Sequence, residues 1–262
     1  MRALRDTCRL YRDHLTRADC WALAALTAAE ASQPDNRDAL EYPFVHYGRA
    51  TCDGANGIGN GGPIDEMPSP HFTTEQVLDY FDRMFDFNAD ETVAIMGAHN
   101  LGRLNNDNSG FDGPWVRSRF SLTNEFYRLL IDRDDRTLAT PNYRSRNNGN
   151  DNDQFLWLRR SRDRRRRRIM LNADMSLVSD FSGHIDVNTG EVATCVIRSD
   201  VRNGGLPECP RASATFDKVS QFSRDNRSFL REFRNALTKM MLNEQDLSVC
   251  DGQTGPLCDL SA

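Results

Sequence analysis

A helix whose end is fixed at a histidine is the feature that most constrains this sequence. Asn88 and Glu91 have the three-residue spacing of a capping box, in which each side chain accepts a hydrogen bond from the backbone of the other residue. Thr92 and the apolar run at 93–96 supply the body of the helix, and Gly97 favours its termination. The sequence therefore predicts that the imidazole of His99 is presented at or just past a helix end.

Other capping and spacing signals predict a mainly helical chain. Apolar residues at helical spacing predict a helix within 2–14, and Thr16 is a candidate N-cap for the next one. Residues 20–26 of that second helix are apolar on nearly every side, which predicts burial. Further helices are predicted from Thr73 or Thr74 to Phe85, over 122–131, over 173–178, and over 214–242 with a break near Asp225 and an aromatic core-facing stripe.

Three segments depart from helical periodicity. Residues 33–70 are rich in Gly, Pro, Asn and Asp and are predicted to form a long irregular connection. Residues 142–153 form an Asn-rich tract that leads into an arginine run at 159–168. Within 183–210, the strand-like segment 191–197 and the Gly and Pro residues that follow it predict a small β-hairpin insertion.

The overall charge limits the classes of partner. The net charge of -5 argues against a general nucleic-acid-binding protein. The run at Arg159–Arg168 is the local exception, and it is interpreted either as a solvated loop or as a docking surface for an acidic protein, an anionic lipid or RNA. No stretch approaches the roughly 20 consecutive apolar residues of a transmembrane helix, so no membrane span is expected.

Cysteine spacing bears on the redox compartment. Two late pairs, Cys195 with Cys209 and Cys250 with Cys258, each close a short loop, and each is a candidate disulfide if the protein matures in an oxidising compartment. Spacing alone does not fix connectivity, so unpaired cysteines stay the alternative. None of the cysteines has the CxxC spacing of a zinc or redox motif.

The octapeptide MGAHNLGR at 96–103 closely resembles the motif that carries the proximal haem ligand in plant, fungal and bacterial haem peroxidases. The likeness is strongest to the intracellular class that contains cytochrome c peroxidase and ascorbate peroxidase. The segment SGFDGPW at 109–115 resembles the family segment whose tryptophan stacks beside that histidine, and Trp115 follows His99 by 16 residues, which fits the family pattern. The histidine motif thus has the family's companion motif at the family's spacing.

The resemblance extends over most of the chain, to about Leu242. Downstream, residues 122–130 are similar to the helix that follows in the family, and residues 171–180 are similar to the segment that carries the proximal aspartate, here Asp174. Upstream, residues 18–26 are similar to a buried family helix. Four further residues resemble a family loop near the haem edge, namely Pro43, Phe44, Gly48 and Arg49.

What the resemblance implies is a mainly α, haem-peroxidase-like fold with long loops and a site for haem b (iron protoporphyrin IX). His99 would be the axial iron ligand, and Asp174 would hydrogen-bond to its other ring nitrogen, which fixes the tautomer and makes the imidazole more electron-donating. Trp115 would hold or pass an oxidising equivalent, with an ordinary buried aromatic as the alternative. The implied cofactor-binding set also includes Gly97, Ala98 and Arg103.

The acid–base half of such a site is what the resemblance does not supply. The family places an Arg-x-x-aromatic-His helix on the opposite, distal side of the haem, where it moves the protons of the peroxide. The nearest pattern here, at 9–14, lacks the aromatic residue directly before His14, which is therefore interpreted as a surface histidine. Two explanations stay open: a distal helix upstream of Met1, or a peroxidase fold that has lost its acid–base half.

Two functions follow. The first is a haem peroxidase that reduces hydrogen peroxide with one-electron oxidation of an unknown donor. The second is a non-catalytic, peroxidase-like structural or interaction subunit, with or without haem. The likeness implies one haem-peroxidase-like domain over 1–243, with insertions at about 142–168 and 183–210, and a cysteine-containing tail over 244–262. An organellar or oxidising lumen is favoured over the cytosol.

Overall fold

The computed structural model describes residues 2–34, 40–42, 49, 67–131, 143–145, 154–159, 168–186, 188–192, 194–197 and 206–243. The chain divides into two compact units, which are treated separately below. Unit 1 comprises Met1–Met67 with Leu237–Ala262, and unit 2 comprises Pro68–Ala236.

Two helices form the described part of unit 1 that precedes residue 34. Helix α1 (Arg2–Leu10) and helix α2 (Arg17–Ala31) are joined by a short turn, and the side chain of Thr16 caps α2 by accepting a hydrogen bond from the Asp19 backbone at 3.0 Å. The predicted N-cap is therefore confirmed. The predicted burial of α2 is wrong over most of its length, because its buried residues are Asp19, Cys20, Leu26 and Ala29, while Trp21 is 48% exposed.

A disulfide and a buried ion pair hold unit 1 together. Cys8 on α1 is bonded to Cys20 on α2, a pairing that the sequence spacing did not indicate. Asp19 accepts a hydrogen bond of 2.9 Å from the Arg49 guanidinium, which also donates to the backbone carbonyl of Met241. Both charged side chains are at least nine-tenths buried. Arg49 thus anchors α2, while the other three residues of the proposed haem-edge loop (Pro43, Phe44 and Gly48) lie outside the described residues.

Helices are the main regular secondary structure among the described residues of unit 2. They are α3 (Thr74–Phe85), α4 (Ala89–Met96), a 3-10 turn at Gly97–Asn100, α5 (Asn106–Ser109), α6 (Glu125–Ile131), α7 (Asn172–Met175), α8 (Phe216–Arg224) and α9 (Asn226–Leu242), whose last residues belong to unit 1. Thr73 caps α3, and the Asn88–Glu91 capping box is present at α4. The mainly helical fold predicted from the sequence is confirmed. Within the described residues, no helix is both long and apolar enough to span a bilayer.

The chain segment between α6 and α7 contains a three-stranded antiparallel sheet. Its strands β1 (Tyr143–Ser145), β2 (Gln154–Arg159) and β3 (Arg168–Met170) are ordered β1-β2-β3, and Arg159 pairs with Arg168. The predicted solvated loop is therefore wrong at both ends of the arginine run, while its residues 160–167 lie outside the described residues. The strands form because apolar residues flank the run and are buried, namely Leu156, Trp157, Ile169 and Met170.

The hairpin predicted within 183–210 takes a different form. Its described residues make single bridges, Ile185 with Val192 and Val196 with Glu208, rather than paired strands. A disulfide joins Cys195 to Cys209, one of the two candidate pairs in the sequence. Cys250 and Cys258 lie outside the described residues.

An aromatic cluster forms the core beneath α4. Tyr127 of α6 meets Phe222 of α8 and Phe229 of α9 edge-to-face, with ring centroids 5.2 and 5.0 Å apart, and all three side chains are fully buried. Such edge-to-face pairs add about 0.5–1.5 kcal/mol each beyond the area they bury. The predicted break at Asp225 is confirmed, and the predicted core-facing stripe is confirmed at its buried residues Val219, Phe222, Phe229 and Phe233. Its outer residues Phe216, Leu237 and Met240 have intermediate exposure.

Candidate functional site

Three residues far apart in sequence meet at the end of α4. The Nδ1 atom of His99 lies 2.7 Å from Oδ1 of Asp174, and the indole Nε1 of Trp115 donates to Oδ2 of the same carboxylate at 2.8 Å. The His99 and Trp115 rings are stacked, with centroids 4.1 Å apart and planes inclined by 14°. The structure thus brings together the three residues that the sequence singled out.

The contact with Asp174 favours one tautomer of the neutral His99 ring. An ionised carboxylate can only accept hydrogen bonds, so the short contact requires a proton on Nδ1. The neutral ring then keeps its lone pair on Nε2. Among the described residues, Nε2 has no hydrogen-bond partner, and the His99 side chain is 30% exposed. Nε2 is therefore the ring nitrogen of His99 that the described contacts leave without a partner.

Asp174 is buried completely and uses both of its oxygens. Besides His99 and Trp115, the backbone N–H of Leu171 donates to Oδ2 at 2.7 Å. A carboxylate out of contact with water is stabilised only when its lone pairs accept hydrogen bonds, and three donors meet that need here. Asp174 is thus the rigid centre of the site.

Asn100 holds the 3-10 turn in place. Its side-chain oxygen accepts a hydrogen bond of 3.1 Å from the Phe126 backbone at the start of α6, and its amide nitrogen donates to the Ser121 carbonyl. Asn100 is fully buried, so neither bond competes with water. Phe126 meets the His99 ring edge-on, with centroids 6.0 Å apart. Sequence reasoning missed both residues, although Asn100 adjoins the histidine and Phe126 lies in a recognised helix motif.

Close packing under the turn leaves no space for a side chain at residue 97. A Cβ on Gly97 would collide with the Phe229 ring and with the hydroxyl of Tyr127. That hydroxyl donates to the carbonyls of Val93 at 2.7 Å and Ala94 at 3.1 Å. Burial raises the pKa of Tyr127 well above its ordinary value, so the phenol keeps its proton and remains a donor. Glycine is therefore needed at residue 97 because Phe229 and Tyr127 pack closely against its Cα.

Two other predicted cofactor-binding residues are on the surface. Ala98 is exposed beside His99. Arg103 is 45% exposed and forms an ion pair with Asp112, which is 63% exposed. Neither residue contacts Asp174 or Trp115 in the contacts described here. His14 is exposed, as predicted.

Side chains and backbone around α7 position Asp174. The indole of Trp157 on β2 donates to Asn172 Oδ1 at 2.7 Å, and the Asn172 amide donates to the Gly190 carbonyl at 2.6 Å. The backbone N–H of Ala173 donates to the Pro70 carbonyl at 3.0 Å. The short helix is therefore tied on three sides, to the sheet, to the turn at 188–190 and to the segment before α3.

Comparison with known proteins decides the family. The family model for peroxidases matches residues 2–186, which is more than half of the chain. The chain belongs to the peroxidase family. This agrees with the family that the motif at 96–103 indicated.

Curated relatives of this peroxidase family member come from fungi. A protein named heme-binding peroxidase from Yarrowia lipolytica is 30% identical over 166 residues, which are 63% of this chain and 48% of the relative. The mitochondrial cytochrome c peroxidase of Neurospora crassa is 36% identical over 120 residues, 45% of this chain and 30% of the relative. That of Aspergillus fumigatus is 47% identical over 70 residues, 27% and 19% respectively. The chain spans less than half the length of each.

A buried histidine next to α7 predicts a pH dependence of stability. His71 is 7% exposed, its ring meets Phe111 edge-on, and its Nδ1 has no hydrogen-bond partner among the described residues. Burial lowers the pKa of His71, and the opposing attraction of Asp186 is the smaller effect. Below about pH 6.5, His71 therefore binds a proton in the unfolded chain but not in the folded chain. The free energy of unfolding then falls as the pH decreases from about 6.5 toward the lowered pKa of the folded state.

Replacing His71 with phenylalanine is expected to flatten that decline. Phenylalanine keeps an aromatic ring beside Phe111 and cannot be protonated. Thermal unfolding followed by circular dichroism at pH 7.5, 6.5, 5.5 and 5.0 gives the comparison, with the slope as the readout because the substitution also alters packing. His14→Gln, at an exposed histidine, should leave the slope unchanged. An unchanged slope in His71→Phe would show that His71 does not titrate across this range.

Proposed function

We propose that this chain binds haem through His99 and acts as a haem peroxidase that reduces hydrogen peroxide with one-electron oxidation of a donor. The carrying observation is the 2.7 Å contact between Asp174 and Nδ1 of His99, which leaves the Nε2 lone pair available on a partly exposed ring. The names of the fungal relatives, which specify heme binding and cytochrome c peroxidase, support the same cofactor and reaction. Bound iron protoporphyrin IX would supply the redox centre.

Asp174, Trp115 and Phe126 each have a separate role in orienting His99. Asp174 keeps the proton at Nδ1 of His99 and makes the ring a stronger electron donor toward a metal at Nε2. Trp115 covers one face of the imidazole and, with its own N–H bound to Asp174, prevents rotation of the ring. Phe126 packs edge-on against the His99 ring and restricts its movement. Hydrogen peroxide and an unidentified one-electron donor are the partners that this function requires.

We place this activity in an organellar or otherwise oxidising lumen. Disulfides persist in oxidising compartments and are rare where glutathione keeps thiols reduced. The Cys8–Cys20 and Cys195–Cys209 bonds support such a location. Mass spectrometry of the protein isolated under alkylating conditions tests it, since free thiols at these four positions would contradict the assignment.

Haem titration tests the ligand assignment. We expect the chain to bind haem in about a 1:1 ratio with the spectrum of a histidine-ligated ferric iron, and we expect His99→Ala to lose that spectrum. His14→Ala, at an exposed histidine outside the site, is the matched control and should bind normally. If His99→Ala retains the wild-type spectrum, His99 is not the ligand.

Reaction with peroxide tests the activity separately. When the haem-bound chain is mixed with hydrogen peroxide in a stopped-flow instrument, the Soret band is expected to shift. Addition of a one-electron donor should then restore the starting spectrum. Haem binding without any spectral response to peroxide would support the non-catalytic alternative. The two experiments therefore distinguish a wrong ligand from a missing reaction.

Trp115→Phe is expected to separate the structural and redox roles of the indole. Phenylalanine can still stack on His99, but it lacks the N–H that binds Asp174, so a loss of about 1 kcal/mol in unfolding free energy is expected. If Trp115 carries an oxidising equivalent, the variant binds haem and reacts with peroxide but oxidises donor more slowly. If donor oxidation is unchanged, Trp115 is a packing residue only. Trp157→Phe, at a buried indole bound to Asn172, is the matched control.

A further inference from the structure

A cavity in unit 1 shares no lining residue with the histidine site. It has a volume of about 450 Å³ and is bounded by α1, the turn that follows it and the start of α2. That volume falls within the range of about 300–1,000 Å³ typical of small-molecule sites. We call it the α1–α2 groove, and its lining residues are Leu4, Arg5, Cys8, Arg9, Arg12, Leu15, Arg17 and Trp21.

The charge of the groove has a single sign. Four of its eight lining residues are arginines, and no carboxylate is among them. Two acidic residues nearby, Asp6 and Asp13, approach Arg5, Arg9 and Arg12 only to 3.8–4.0 Å, with every side chain more than half exposed. Exposed pairs of this kind contribute little, so an anion can compete with Asp6 and Asp13 for the guanidinium groups of Arg5, Arg9 and Arg12.

The remaining lining is apolar and held in place covalently. Trp21 is 48% exposed, although the pattern of α2 predicted its burial, and Leu4 and Leu15, which line the same cavity, have intermediate exposure. The bond between Cys8 and Cys20 ties α1 to α2 and so fixes the width of the groove. An exposed indole beside leucines favours the binding of an aliphatic or aromatic body.

We propose that the α1–α2 groove binds a soluble anionic amphiphile, a molecule with an aliphatic body and a carboxylate or phosphate head. The body would lie against Trp21, Leu4 and Leu15, and the head would bind the arginines at the rim. Arginine suits this role because its planar fork donates two hydrogen bonds to a carboxylate or phosphate. None of the lining residues belongs to the histidine site, so the proposal does not rest on haem binding.

Exposed residues outside the groove distinguish this occupant from a membrane surface. Leu10 is 79% exposed and Tyr11 is 53% exposed, but neither lines the cavity. Adsorption of α1 to an anionic bilayer would use these two projecting side chains. Binding of a single amphiphile would use Leu4 and Leu15 instead, and the two modes therefore depend on different leucines.

Isothermal titration calorimetry of the full 262-residue chain with dodecanoate below its micellar concentration tests the proposal. We expect one saturable site that weakens with added salt, and dodecyl phosphate should compete for it. The Arg9→Gln/Arg12→Gln double variant should bind at least tenfold more weakly. Arg224→Gln, at an exposed arginine on α8 in unit 2, is the matched control and should bind as the wild type does. Dodecyltrimethylammonium, with the same tail and opposite charge, should not bind.

A pair of leucine variants tests the location. Leu4→Ser should weaken dodecanoate binding, and Leu10→Ser should not, provided that circular dichroism shows both variants folded. Should Leu4→Ser fail to fold, Trp21 fluorescence replaces it: dodecanoate should shield Trp21 from acrylamide, because Trp115 and Trp157 are only 6% and 2% exposed. Three results would overturn the proposal: equal binding of the cationic amphiphile, full affinity in the double arginine variant, or binding to anionic vesicles alone that is lost in Leu10→Ser.

Discussion

Replacing Asp174 with alanine is expected to lower the free energy of unfolding by on the order of 4 kcal/mol. The carboxylate is fully buried and accepts hydrogen bonds from His99, Trp115 and Leu171. Alanine would leave all three donors without an acceptor, and a buried unsatisfied donor costs about 1–3 kcal/mol. Urea unfolding followed by circular dichroism measures the change. A loss below about 1 kcal/mol would mean that water replaces the carboxylate.

The isosteric variant Asp174→Asn separates stability from the tautomer of His99. The asparagine carbonyl can still accept from Trp115 and Leu171, because both hydrogen bonds end on the same carboxylate oxygen. Its NH₂ group then faces Nδ1 of His99, and two donors cannot share a hydrogen bond, so the imidazole carries its proton on Nε2 instead. We expect a destabilisation of only about 2 kcal/mol, together with a 10–100-fold loss of haem affinity.

Two measurements on Asp174→Asn separate these effects. Nitrogen chemical shifts of a ¹⁵N-labelled histidine sample report which ring nitrogen of His99 is protonated, independently of haem. Haem titration then reports the loss of affinity. Asp112→Asn, at a carboxylate that is 63% exposed, is the matched control and should change neither. An Asp174→Asn variant with unchanged tautomer and unchanged haem affinity would remove Asp174 from the ligand assignment.

Local signals carried most of the sequence-based prediction of the site. Thr16, Thr73 and the Asn88–Glu91 box start helices where the sequence placed them, because a capping side chain bonds to a backbone only three residues away. His99 follows the helix end for the same local reason. The contact of His99 with Asp174, 75 residues further along, came from resemblance alone, since no local rule joins residues so far apart.

Features that depend on tertiary contacts were not predicted from the sequence. Arg159 and Arg168 lie in paired strands because buried Trp157 and Ile169 beside them drive the pairing, while the composition of the run indicated a solvated loop. The Cys8–Cys20 bond forms because two helices fold back on each other, which spacing does not reveal. The exposure of Trp21 was likewise not predicted, because an apolar run does not show which of its residues other elements will contact.

Gly97→Ala is the second substitution with a large expected effect, a destabilisation of about 2–3 kcal/mol. The backbone at Gly97 is right-handed helical, with φ of -60°, so alanine meets no conformational penalty there. The cost is steric, because the new methyl group overlaps Phe229 and the Tyr127 hydroxyl. Displacement of the 3-10 turn should also move His99, so we expect weaker haem binding along with a lower melting temperature.

A second glycine and a compensating substitution test this steric explanation. Gly102 has a φ of +75° and open space around its Cα, so Gly102→Ala should cost about 1 kcal/mol through its backbone alone. Adding Phe229→Leu should recover part of the loss in Gly97→Ala, because the smaller side chain makes room for the methyl group. The same addition should give no recovery in Gly102→Ala. Strictly additive losses for Gly97→Ala and Phe229→Leu would mean that the turn moves away from α9 rather than packing against it.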